Sequence, residues 1–213
     1  MIKKRGINLF MVTLLILSGC NKHPDSDLIG SKTCSPPCWM NIRPGATKTN
    51  DAISNLTTLE SQGKGHLEIA QDGSINWYPS SSSNKIDYLY SRSDLIIEIK
   101  LDMRPSSTSL EEVISMFGDP SSFKFDRLAG GYFFVDLFYP DKGLAFTASG
   151  NKGGTQNGVT DFVVEPEVIV SFAYFMHPSD ITGMVNSLYG ANKAPEILFR
   201  VQEWKGYGTY ILK

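Results

Sequence analysis

The chain has 213 residues, of which 41% are hydrophobic, 11% aromatic and 20% charged, the profile of a folded globular protein and not of a disordered one. Beyond the first nineteen residues 17 basic side chains stand against 22 acidic ones, which argues against the clustered positive charge of a nucleic-acid-binding surface. A length that buries roughly 70% of the unfolded surface requires neither a metal nor a dense disulfide set to fold. Lys3, Lys4 and Arg5 form a positive head before an apolar run at 7–17, interrupted by Asn8 and Thr13. As a helix that run reaches roughly 16 Å, half of a roughly 30 Å hydrocarbon core, and so reads as an export signal and not as a membrane span.

The run ends in Leu17-Ser18-Gly19-Cys20, which resembles the lipobox of bacterial lipoproteins at all four positions. The resemblance implies cleavage after Gly19, a diacylglyceryl thioether on Cys20, and a chain tethered to a lipid bilayer through that acylated residue. Two or three acyl chains anchor stably where one holds only marginally. Asn21 in place of an aspartate favours the outer membrane over the outer face of the cytoplasmic membrane, by the sorting rule of such lipoproteins. The polar stretch 21–32 has no periodic pattern and reads as a tether of roughly 20 Å r.m.s. reach.

With Cys20 assigned to lipid, Cys34 and Cys38 remain, in Cys34-Ser-Pro-Pro-Cys38. In an oxidising compartment the pair reads as a structural disulfide closing a short turn, worth roughly 2 kcal/mol. Redox chemistry is the alternative, although the three intervening residues and the absence of a helix start depart from the thiol–disulfide oxidoreductase pattern. Free or metal-binding thiols are a further alternative, with fewer ligands than a metal site needs.

Sliding the chain by 61 residues aligns Arg43-Pro44 and Thr47 with Arg104-Pro105 and Thr108, and Ile53-Ser54 with Ile114-Ser115. Each copy predicts a helix, near 47–60 and 108–117, with Thr47 and Thr108 as N-caps and Glu111 completing a capping box. Strand-like runs follow at 67–70, 75–78, 85–90 and 95–102 in the first copy, and at 123–127, 132–139, 144–147, 162–164 and 168–176 in the second. The serine-rich 80–84 and the glycine-rich 150–158 read as loops, and a third helix is expected over 179–189. The expected fold is α+β, with two tandem helix-plus-antiparallel-meander repeats followed by a short C-terminal helix and strand. The organisation is a signal at 1–19, a lipidated tether at 20–33, repeats at 34–103 and 104–177, and a C-terminal unit at 178–213.

Pro37-Cys38-Trp39, Ile42, Pro44-Gly45 and Thr47 resemble the opening of uncharacterised bacterial lipoproteins with a P-C-W-x-x-I-x-P-G-x-T signature. Leu110, Val113-Ile114, Gly118 and Pro120, and the terminal Trp204-Lys-Gly-Tyr-Gly208, also resemble that family. The helix-Gly-x-Pro element is more distantly similar to the repeats of β-lactamase-inhibitor-like proteins and of small outer-membrane-assembly lipoproteins, which implies a binding module.

Catalytic chemistry is hard to find in the chain. His23, His66 and His177 have no metal-ligand spacing, Ser149 lacks the first glycine of a nucleophile elbow, and Glu165 and Glu167 flanking Pro166 read as a solvated edge. No catalytic residue, metal site or cofactor is expected. The candidate binding surface is Tyr132, Phe133 and Phe134, because consecutive rings put apolar groups on both faces of a strand. The expected function is a non-enzymatic interaction module for another envelope protein or a glycan. The alternative is an envelope hydrolase or thiol-redox protein with a site assembled from scattered residues.

Overall fold

A computed structural model describes residues 34–80, 85–104, 107–156 and 159–211. The expected signal, Cys20 and the tether all lie outside the described residues. In chain order the elements are α1 (Thr49–Ser61), β1 (Gly65–Ile69), β2 (Ile75–Pro79), β3 (Asp87–Arg92) and β4 (Leu95–Asp102). The next are α2 (Leu110–Phe117), β5 (Ser122–Arg127), β6 (Phe133–Tyr139), β7 (Leu144–Gly150), β8 (Gly153–Gln156), β9 (Val159–Val164) and β10 (Ile169–Met176). The chain then forms α3 (Ile181–Tyr189), α4 (Ala194–Arg200), β11 (Gln202–Glu203) and β12 (Gly208–Ile211).

The fold is mostly β, which corrects the α+β expectation of two tandem helix-plus-meander repeats. Nine strands form one antiparallel sheet in the order β1-β2-β3-β4-β10-β7-β6-β5-β11, and β12-β9-β8 form a second. The physical reason is the placement of β10. It pairs with β7 on one side and with β4 on the other, Tyr174 lying opposite both Ala145 and Lys100. The two predicted meanders therefore continue into one another, and the helices are small additions to a sheet that runs through both. The loop expected over 150–158 is also corrected, since it contributes the end of β7 and all of β8.

Helix starts move by one residue for the same reason, pairing to the sheet. Ile96 N–H donates to the Thr47 carbonyl and Val170 N–H to the Thr108 carbonyl, so both threonines are bound to strands through their backbone. The second helix takes Ser109 as its N-cap, and Ser109 and Glu112 form the capping box expected of Thr108 and Glu111. The first helix begins after Lys48, which provides no side-chain cap, while the Thr47 hydroxyl accepts from Arg43 N–H at 2.8 Å.

One face of the large sheet is covered along its length. Ile75, Trp77, Leu89, Ile99, Phe175, Phe146, Leu137 and Phe123 project into a single core. Trp39 and Ile42 plug it beside Ala52 and Leu56 of α1, Leu110 and Val113 of α2, and Phe162, Val164 and Tyr210 of the small sheet. The opposite face is treated unequally. Met184 and Val185 of α3 and Ala194 and Ile197 of α4 cover Phe138, Ala145 and Met176. No helix lies over the remaining half, from β2 through β4 to the near side of β10, among the described residues.

Candidate functional site

Register and side-chain alternation assemble the uncovered half. Asn76, Tyr88, Lys100 and Tyr174 are mutually opposite across β2, β3, β4 and β10, and so form one row on one face. Two residues along each strand, Tyr90 pairs with Glu98, and Phe172 pairs with Asp102. The row continues under the helices as Ala145 and Phe138. Tyr88 and Tyr90 stack with centroids 6.5 Å apart, as do Phe172 and Tyr174 at the same spacing with tilted planes. The two aromatic columns stand on either side of β4.

The charges between those columns are placed by the rings. The Lys100 ammonium lies 4.3 Å from the Phe172 centroid, 5.8 Å from Tyr174 and 6.0 Å from Tyr88, within reach of cation–π attraction to each. The Arg104 guanidinium sits 4.7 Å from the Phe172 centroid and is held by Asp102 at 2.8 Å. Among the described residues Lys100 has no carboxylate within ion-pair distance. Burial pushes the Glu98 carboxyl up to about 7 against the opposing pull of Lys100. Tyr174 is pushed up to about 12, also by burial. At the outer edge Tyr78 donates to Glu68 at 2.6 Å, and the Asn76 side-chain oxygen is buried without a partner.

Where the open half meets the helix-covered half lies a cavity of about 110 Å³, lined by Tyr174, Thr147, Asp136, Leu188 and Tyr189 among others. Beneath it Lys124 is fully buried, paired with Asp136 at 2.9 Å and with Asp126. Asp136 also accepts from Thr147 at 2.5 Å and from the Tyr189 hydroxyl. Arg200 of α4 bonds Asp126 at 2.8 Å. The Asp126 carboxyl is resisted by burial yet held below its ordinary range by Lys124 and Arg200. Every charge in this cluster is answered by another, so its geometry ties the helices to the sheet and presents no free nucleophile.

The sequence-derived sites are distributed as follows. Cys34 and Cys38 form a disulfide with Cα atoms 5.7 Å apart, and Trp39 next to it is buried in the core. The proposed surface Tyr132, Phe133 and Phe134 is corrected. Phe133 is 0% exposed and packs with its ring centroid 5.2 Å from that of Phe162 and 5.6 Å from that of Phe125. Phe134 is half-buried on the other face, and only Tyr132, 54% exposed, meets solvent freely. Tyr132 lines a separate cleft of about 260 Å³ with Ser149, Lys152 and Glu165. There Lys152 pairs with Glu165 at 2.7 Å, and Ser149 faces Ser171 at 3.3 Å. His66 bonds Glu60 at 2.5 Å, His177 bonds the Pro178 carbonyl, and no metal-holding cluster occurs among the described residues.

Sequence reasoning missed the open row. Its signal was present as aromatic pairs two residues apart, Tyr88/Tyr90 and Phe172/Tyr174, opposite a strand alternating Glu98, Lys100 and Asp102 with apolar residues. No family model, curated protein or solved structure matches the chain.

Proposed function

We propose that this chain is an exported bacterial lipoprotein, anchored through acylated Cys20, that acts as a non-enzymatic interaction module in the cell envelope. Its anchor sits in the outer membrane in preference to the outer face of the cytoplasmic membrane. The observation that carries the binding reading is the open half of the large sheet, where Tyr88, Tyr90, Lys100 and Phe172, bordered by Tyr174 at the edge of the helices, form a partly exposed aromatic and cationic surface. Rigid rings add contact area at low entropic cost, which is why binding surfaces favour them. Neither the fully paired Lys124 cluster nor the disulfide offers comparable open chemistry, so the partner, an envelope protein or a glycan, is assigned to the aromatic face.

Two measurements test this reading. Cys20→Ser is expected to leave the membrane fraction or to remain unprocessed, and wild-type Cys20 to carry lipid mass by mass spectrometry. In a separate assay, purified Cys20→Ser chain added back in excess to lipid-extracted envelope fragments is expected to be retained on them. Adding Tyr88→Ala and Tyr174→Ala should abolish that retention while thermal unfolding stays cooperative. Retention indifferent to both tyrosines would remove the face as the binding surface, and unlipidated Cys20 would remove the anchor.

A further inference from the structure

The open row has chemistry specific enough to narrow its ligand. Asn76 to Tyr174 spans three interstrand spacings, about 14 Å, and the aromatic columns on β3 and β10 stand two spacings, about 10 Å, apart. Between them the Lys100 ammonium is oriented by three rings and has no carboxylate partner among the described residues. The nearby acids are otherwise engaged. Asp102 is taken by Arg104 and Glu68 by Tyr78, while Glu98, two residues along β4, attracts Lys100 only from beyond ion-pair distance. The surface thus has a cation with no carboxylate at contact distance and ring faces suited to flat, hydrocarbon-bearing partners.

Two classes of occupant fit poorly. An extended peptide adds to a sheet through unpaired backbone, but β2, β3, β4 and β10 are each paired on both sides. An apolar protein or helix face would bury Lys100 without an anion, which is costly. A saccharide chain carrying carboxylates meets both demands, since its acid groups pair with an ammonium and the C–H faces of its rings lie against aromatic side chains.

We propose that the open half of the sheet binds an acidic saccharide, with a carboxylate on Lys100 and sugar rings against Tyr88 and Tyr174. This assignment rests on the binding-module reading above and gives that module a ligand class.

The test uses the full-length chain in detergent and an array of uronic-acid oligosaccharides paired with their carboxyl-reduced counterparts. Saturable binding of the acidic members is expected, weakened about tenfold or more by carboxyl reduction, as for loss of a charge-assisted contact. Lys100→Met should erase the difference between acidic and reduced forms, Lys100→Arg should keep most of it, and Tyr174→Ala should weaken both forms together. Equal affinity for the two forms, or an acid preference untouched by Lys100→Met, would overturn the proposal. Should Lys100→Met fail to fold, loss of acid preference at high salt in the wild type and its retention in Lys100→Arg decide the matter. If no saccharide binds while the two tyrosine substitutions still release the Cys20→Ser chain from envelope fragments, the ligand class is wrong and the module stands. If they release nothing, both fall.

Discussion

A lysine with no solvent exposure is tolerable only when its charge is answered on every side. Lys124 meets that condition through Asp126 and Asp136, and its ammonium also lies 4.7 Å from the Tyr189 ring centroid. Because Tyr189 belongs to α3 and Arg200 to α4, the cluster fixes both helices against β5 and β6. Lys124→Met keeps the volume but leaves Asp136 buried with only hydroxyl donors. A loss of about 3–5 kcal/mol is expected, read from urea unfolding. Lys124→Met combined with Asp136→Leu should recover much of it, because no uncompensated charge then remains. A single variant as stable as the wild type would show that the pair contributes nothing.

At the scale of elements, the balance between local and long-range pairing decides what forms. Ser109 caps α2 because Thr108 is already committed to β10 through its carbonyl. Ser109→Ala should therefore cost about 1 kcal/mol in chemical denaturation, while Ser109→Asp, which accepts the same Glu112 N–H, should cost much less. This displacement by one residue illustrates what was legible in the sequence. The period-two runs of β2 and β4, the apolar runs of β6 and β10 and the amphipathic α2 are local signals, and they were visible. The β8 segment Gly153-Gly154 has no side-chain alternation to read, and α4 is only two turns long, so neither announced itself. The contact of β10 with β4 joins residues some seventy apart, and no window of sequence contains it. That one pairing turned two expected units into one sheet, and it also brought Tyr174 beside Lys100. The same limit hid the site. The aromatic pairs could be seen, but which face stays open depends on where α3 and α4 come to rest. Phe133, chosen for sitting next to Phe134, points instead into the core that β9 completes.

For the molecule as a whole, one buried and one half-buried carboxyl link its stability to pH. Asp87 sits at the edge of the core, where burial pushes it up to about 7 even though it accepts the Asp102 N–H at 3.0 Å and feels Lys85. Glu98 lies on the open face and is raised to the same level by burial. In the unfolded chain these groups release their protons near 3.8 and 4.5. Between those values and about 7 the folded state holds more protons than the unfolded one. Stability must therefore fall as pH rises through that interval and level off above it, by up to about 1.4 kcal/mol per pH unit for each group. Asp72, Asp102 and Asp126 act in the opposite sense, their lowered values removing stability as pH drops below the ordinary carboxylate range. The expected profile is a maximum in mildly acid solution and a decline toward neutrality. Asp87→Asn and Glu98→Gln should each flatten that decline when unfolding free energies are measured across the interval. The two effects should add, since Asp87 lies toward the core and Glu98 on the opposite face. Stability that rises steadily from pH about 4.5 to 7, in the wild type and both variants alike, would mean that neither carboxyl holds its proton in the folded protein.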